Sequence, residues 1–298
     1  MFGERMAAAV REVGNCAVVG LDPHLDKLPA EFRERYADRS GLDFRVEAAQ
    51  AVLEFNNLVI DAIAGTVCAV KPQYAFYEAL GSPGFAALEE TCDRARDRGL
   101  IIIADAKRGD IASTAAAYAR SILAPDGPFA ADAVTVNPWM GADTLDPFIE
   151  VCAATGGGIF VLVRTTNPGS ALLQHHGEPA AAHVVAQVLA EKGAALTGPS
   201  GMSSIGAVVG AMTGNEATTL RAMMPGAWYL VPGVGAQGGS ETDAVAGQRP
   251  DGLGCLVNSS RGVLYAPDLQ RPVYDADPGA WIAASARAHA ARFTISTD

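Results

Sequence analysis

Eight short runs of apolar residues punctuate the chain, at 17–21, 67–70, 100–104, 133–136, 159–163, 205–209, 228–231 and 255–257. Each has the length of a strand, and most are apolar throughout instead of alternating. That is the pattern of strands buried on both faces, as in a parallel sheet covered by helices. Between the runs the period changes. Residues 47–63 place Val52, Phe55, Val59 and Ile63 on one stripe at spacings of three and four, which predicts a helix with one buried face. Residues 111–123 are rich in alanine, 180–196 are bounded by Pro179 and Gly198, and 278–293 begin on Pro278. All three segments are expected to be helices.

Strand and helix alternate eight times in 298 residues, about 37 per unit, which suits a (β/α)8 TIM barrel of roughly 250 residues with insertions. The extra length falls between the first and second runs and between the fifth and sixth. An open doubly wound sheet is the competing α/β architecture, but no G-x-G-x-x-G follows the first run. No linker rich in Ser, Gly or Pro divides the chain and no repeat appears, so residues 1–298 are expected to form a single barrel domain.

Composition narrows the function. Hydrophobic residues make up 49% of the chain and charged residues 18%, which excludes disorder, and the net charge of −11 argues against a nucleic-acid partner. The five cysteines are odd in number, lack C-x-x-C spacing and mostly sit beside apolar residues. They are expected to be buried, reduced thiols. The N-terminus has no signal-peptide h-region, and no apolar run approaches the roughly 18 residues of a membrane span. No membrane contact and a cytoplasmic location are therefore expected. The five histidines do not pair at ligand spacing, so no metal site is expected.

In a parallel barrel the chemistry sits at the C-terminal ends of the strands. The chain has only four lysines, and two of them, Lys71 and Lys107, follow apolar runs. Asp105 and Lys107 are two apart on a strand and so share a face. With Lys71 on the neighbouring strand and Asp110 three residues on, alternating charges are expected at one mouth, each holding its neighbour ionised. A plain ion pair for Asp105 and Lys107, and a helix N-cap for Asp110, are the structural alternatives. Asp22 ends the first run. The Gly-rich segment after the seventh run, 233–239, has free backbone N–H groups that would cradle a phosphate. Arg261, after the eighth run, would add a bidentate fork.

Asp105-Ala106-Lys107-Arg108-Gly109-Asp110-Ile111-Ala112-Ser113-Thr114 resembles the D-x-K-x-x-D-I-x-x-T motif of orotidine 5'-phosphate decarboxylase. Val231-Pro232-Gly233-Val234-Gly235-Ala236-Gln237-Gly238-Gly239 is similar to that family's phosphate loop, and Asn258-Ser259-Ser260-Arg261-Gly262 to its terminal phosphate motif. Asp22, Lys71 and Thr166-Asn167-Pro168-Gly169 fall at matching places, and Asn137-Pro138-Trp139-Met140-Gly141 resembles the longer bacterial branch. The resemblance implies a lyase that converts orotidine 5'-monophosphate to UMP and CO2, the last step of de novo pyrimidine synthesis, with neither metal nor organic cofactor.

It also implies roles. Lys107 would donate the proton to C6 of the pyrimidine, with Asp105 beside the departing carboxylate. Lys71 would contact the ribose and orient Asp105, and Asp22 would bind a ribose hydroxyl. Asp110, Ile111 and Thr114 would reach into the partner subunit's site in a homodimer with shared active sites. Gln237 would bridge phosphate and base, Pro232 would lie beside the base, and Ser260 and Arg261 would hold the phosphate. Thr166 stands where the family usually has Ser against the pyrimidine amide; it keeps the hydroxyl but adds a methyl and a stiffer χ1. Two other functions compete. One is a Mg2+-dependent sugar-phosphate decarboxylase or aldolase of the same superfamily, which a chelator would stop. The other is a non-catalytic nucleotide-binding barrel.

Overall fold

Each apolar run forms a strand, and the strands pair in chain order. They are β1 (Ala17–Leu21), β2 (Ala69–Pro72), β3 (Ile101–Arg108), β4 (Ala133–Val136), β5 (Gly158–Arg164), β6 (Ile205–Val209), β7 (Tyr229–Val231) and β8 (Cys255–Ser259). All pairings are parallel, and β8 closes on β1 to complete a TIM barrel with helices between the strands. The computed structural model describes residues 1–211, 216–234 and 239–295. β1, β4 and β6 are buried at every position. One face of each strand fills the barrel and the other meets the helices, which is why the runs are apolar throughout.

The helix expected at 47–63 spans Gly41–Ile63, with Val52, Phe55, Val59 and Ile63 all fully buried. It starts six residues early because its first turns carry no buried stripe: Leu42 and Val46 face solvent. The segment expected at 180–196 is a helix over Ala181–Gly193 that tightens into a 3-10 turn, Ala194–Leu196. The last helix, Pro278–Ala291, is capped by Asp277, whose Oδ1 accepts the Ala280 N–H at 2.9 Å.

Sequence inspection passed over the first helix, Phe2–Val13, although Phe2, Met6 and Val10 fall four apart on one stripe. It closes the N-terminal end of the barrel, opposite the strand ends that carry polar residues. Phe2 meets Phe160 edge to face at 5.7 Å, the Gly3 N–H donates to Ser204 Oγ, and the Trp228 indole N–H donates to the Gly3 carbonyl. A Cβ on Gly3 would stand 2.5 Å from the Met202 carbonyl oxygen, so only glycine permits this approach. Phe2, Met6 and Val10 are fully buried. Phe2→Ala should destabilise the protein by about 3–5 kcal/mol. Denaturant unfolding at pH 7 would read this as a lower midpoint with an unchanged slope; an unmoved midpoint would place this helix outside the cooperative core.

Candidate active site

The centre of the site is where β3 changes character. Ile101–Ala104 are apolar and buried, and the strand then runs on through Asp105, Ala106, Lys107 and Arg108. Against β4 it bulges: Ala104 pairs with Val134 but Arg108 pairs with Val136, so four steps on one strand oppose two on the other. Lys107 sits in the bulge with φ 46°, in the left-handed region where a residue other than glycine is strained.

The Asp105 carboxylate, only 6% exposed, accepts four hydrogen bonds. Oδ2 accepts from Lys71 Nζ at 2.7 Å and Gln73 Nε2 at 2.8 Å, and Oδ1 from Lys107 Nζ at 2.6 Å and Thr135 Oγ1 at 2.9 Å. Burial by itself would raise the pKa of this acid. The Lys71 and Lys107 ammoniums outweigh it and hold the carboxyl well below the usual carboxylate range. Burial likewise works against the Lys71 ammonium, but Asp105 and then Asp22 raise its pKa. Lys71 is buried, whereas the Lys107 side chain is 47% exposed. Lys107 is thus the ammonium a bound molecule can approach.

A cavity of about 580 Å³ opens at these strand ends. Lys71, Asp105, Lys107 and Asp22 line it on the β1–β3 side, Ser260 and Arg261 at the end of β8, and Thr166 and Pro232 between them, above apolar Leu162, Val208 and Leu230. The β1–β2 register, Gly20 opposite Lys71, brings Asp22 to the same rim. A Cβ on Gly20 would fall 2.0 Å from Ser260 Oγ and 3.0 Å from Asp22 Oδ1, so glycine there lets both side chains crowd the rim. Asp22 Oδ1 and Asn258 Oδ1 are buried without a hydrogen-bond partner, as acceptors awaiting a ligand hydroxyl or amide would be. Such a cleft fits a molecule with a flat apolar middle and an anionic end near Arg261.

The loop carrying Thr166 is pinned from below. The Arg164 guanidinium donates to the Thr165 carbonyl at 2.6 Å and to Ser170 Oγ at 2.7 Å, and its Nε meets Glu216 at 2.8 Å. A Cβ on Gly210 would stand 2.3 Å from the Thr166 methyl, so the bulkier Thr depends on glycine there. Asp110, Ile111 and Thr114 do not line this cavity. Asp110 Oδ1 accepts the Ile111 N–H at 2.8 Å, and Ile111 and Thr114 are exposed at the start of the helix Ala112–Leu123. Within the chain the alternating set is therefore Lys71, Asp105 and Lys107. Gln237, with the rest of segment 235–238, lies outside the described residues.

Sequence inspection passed over Gln73 and Thr135, although both left a signal. Gln73 stands two after Lys71, as Lys107 stands two after Asp105, and it bridges to Asp105 in the backbone as well. Thr135 is the lone polar residue in its run. All five cysteines are free and buried. Burial pushes Cys68, Cys92, Cys152 and Cys255 up to about 12, and Cys16 higher still, so none is a thiolate nucleophile near neutral pH. Among the described residues no three His, Cys, Asp or Glu side chains group as metal ligands, and no helix is long and apolar enough to cross a membrane.

Comparison with known proteins gives one answer. The model of the orotidine 5'-phosphate decarboxylase / HUMPS family matches residues 19–273. An orotidine 5'-phosphate decarboxylase of Rhodopirellula baltica is 41% identical over 286 residues, covering 94% of this chain and 93% of its own. That of Deinococcus radiodurans is 44% identical over 253 residues, 84% of each chain. Among solved structures, Leishmania donovani OMP decarboxylase superposes with a TM-score of 0.68 at 31% identity, covering 96% of this chain and 98% of its own.

The coupled charges make a stability prediction. Lys71→Met leaves Asp105 buried with Lys107 as its remaining cation and should cost about 3 kcal/mol at pH 7. Asp105 has a depressed folded pKa, so its stabilisation is present above the unfolded value of about 3.9 and fades as pH falls toward the folded one. The gap between variant and wild type in urea should therefore be smaller at pH 3 than at pH 7. A gap independent of pH would contradict the coupling.

Proposed function

The chain belongs to the orotidine 5'-phosphate decarboxylase family and converts orotidine 5'-monophosphate to UMP and CO2 in pyrimidine biosynthesis; on that premise we propose that Lys107 is the proton donor to C6 and Asp105 the charge that faces the departing carboxylate. The observation that carries these roles is the ionised Lys71–Asp105–Lys107 chain at one end of a cleft whose other end holds Arg261.

The chemistry follows from charge. When the bond between C6 and the carboxylate carbon breaks, CO2 leaves and the electron pair stays on C6 in an sp2 orbital that the ring cannot delocalise. An ammonium at that point stabilises the developing charge and then transfers a proton to it, leaving Lys107 neutral until solvent reprotonates it. Asp105 repels the substrate carboxylate, and the repulsion ends with the loss of CO2. Buried Lys71 keeps Asp105 ionised and in place, and lies within reach of the ribose with Asp22. Arg261 and the Ser260 backbone take the phosphate, whose binding energy is available to draw the reacting end into this field. Thr166 faces the pyrimidine amide, Pro232 lies beside the base, and Gln237 is assigned to the phosphate–base bridge from its motif alone.

Asp110, Ile111 and Thr114 are assigned to the partner's site in a homodimer. The exposure of Ile111, Trp139 and Met140, large apolar side chains at the ends of β3 and β4, supports that face. We read the enzyme as one barrel domain over 1–298, cytoplasmic and free of metal and cofactor.

Absorbance assays on orotidine 5'-monophosphate test these roles. Lys107→Ala should lose turnover by several orders of magnitude while still binding UMP; near-normal turnover would remove Lys107 from the proton transfer. Arg261→Ala should raise KM and lower kcat/KM by about 10- to 100-fold, the loss of one charge-assisted phosphate contact, and an unchanged kcat/KM would move the phosphate elsewhere. EDTA should leave the rate unaltered, whereas its abolition would favour Mg2+-dependent chemistry.

A further inference from the structure

The side chain of Thr135 is fully buried in the middle of the apolar β4 run and does not line the cavity. Its surroundings explain its polarity. In the bulge of β3 the Lys107 backbone N–H donates not to a ladder carbonyl but to Thr135 Oγ1, at 2.9 Å. A main-chain N–H in such a place needs an acceptor, and a hydroxyl has the lone pair for it. The single proton of that hydroxyl goes to Asp105 Oδ1 at 2.9 Å, and the same oxygen accepts Lys107 Nζ at 2.6 Å. A closed ring results, running from the Lys107 main chain through Thr135 and Asp105 back to the Lys107 ammonium. Valine has the same shape and would suit an apolar run at least as well, so packing does not account for the oxygen.

We propose that Thr135 is a positioning residue for the decarboxylation: it holds Lys107 in its left-handed backbone conformation and so fixes where the ammonium lies against Asp105. The inference rests on the role given to Lys107 above. Without the hydroxyl, the Lys107 N–H and one lone pair of Asp105 lose their partner together, the strained backbone is released, and the ammonium is no longer aimed. Substrate binding, which depends on Arg261, Ser260 and the cavity walls, is left alone.

Wild type, Lys107→Ala, Thr135→Val and Thr135→Ser are compared for turnover of orotidine 5'-monophosphate and for UMP affinity. Thr135→Val should lower kcat by about 10- to 100-fold, with KM and the UMP Kd within about threefold of wild type, because only the orientation of the proton donor is lost. Thr135→Ser, which keeps the hydroxyl and drops the methyl, should recover kcat to within about threefold of wild type. The proposal is overturned if Thr135→Val keeps its kcat, if the serine variant is as slow as the valine one, or if UMP affinity falls in step with kcat. The lysine variant separates the two layers. An active Lys107→Ala defeats the underlying role of Lys107, whereas an inactive one beside a fully active Thr135→Val defeats this inference alone. If Thr135→Val does not fold, Thr135→Cys replaces it, its thiol being too weak a donor and acceptor to close the ring, and the same outcomes decide.

Discussion

A carboxylate kept ionised almost out of contact with water governs the mouth of this barrel. An isolated acid as buried as Asp105 would take up a proton rather than remain charged. Here two ammoniums, an amide and a hydroxyl converge on its two oxygens. The cluster is coupled, because removing either cation leaves the buried carboxylate with one counter-charge in place of two. A structural ion pair would gain little from such a place. A catalyst gains a negative charge that does not move and cannot be quenched, set beside a cation that remains accessible.

The strand order supplies this cluster without help from long loops. Lys71 on β2, Gln73 just past its end, and Lys107 on β3 all converge on the Asp105 carboxylate, and the Gln73–Asp105 bridge fixes their level. The bulge of β3 against β4 then adjusts a single residue, Lys107, at the point where regular pairing would leave less freedom to aim it. At the other end of the barrel the helix Phe2–Val13 seals the floor with Phe2, Met6 and Val10. The opposite rim carries the strained Lys107 backbone and unpaired acceptors such as Asp22 Oδ1.

Much of this was legible before any coordinates. β1, β4 and β6 coincide with their apolar runs because strands buried on both faces are apolar at every position. The residues at their polar ends follow directly, which is why Asp22, Lys71, Asp105, Lys107, Thr166, Pro232, Ser260 and Arg261 meet in one cavity as expected. What stayed hidden depended on tertiary geometry. The β3 bulge has no local signature, so the partners of Thr135 could not be inferred from its position. The first helix is the exception: Phe2, Met6 and Val10 fall four apart on one stripe, so its face was readable, and only its partners on distant strands were not. Asp110, Ile111 and Thr114 sit outside this chain's own cavity, and no spacing rule within one chain speaks to a second subunit.

Charge poses a final question. A protein of net charge −11 would be expected to repel a substrate that carries both a phosphate and a carboxylate. Screening limits that repulsion, since at physiological ionic strength exposed charges fade over about 8 Å, and the acids spread over the outer helices act weakly at the cleft. Inside it the balance reverses: Lys71, Lys107, Arg261 and Arg292 face Asp22 and Asp105. Lys71 and Lys107 are both bonded to Asp105 and Arg292 meets Glu241 at 3.4 Å, which leaves Arg261 as the lining cation with no carboxylate partner among the described residues. With the phosphate at Arg261 as proposed, an anionic substrate would be attracted chiefly at that end, while its carboxylate would be brought against a fixed negative charge that it would not approach unaided. The two ends of the cleft have to act together. On the roles proposed for these residues, attraction at Arg261 would make the unfavourable contact at Asp105 reachable, and only the reaction itself would relieve that contact.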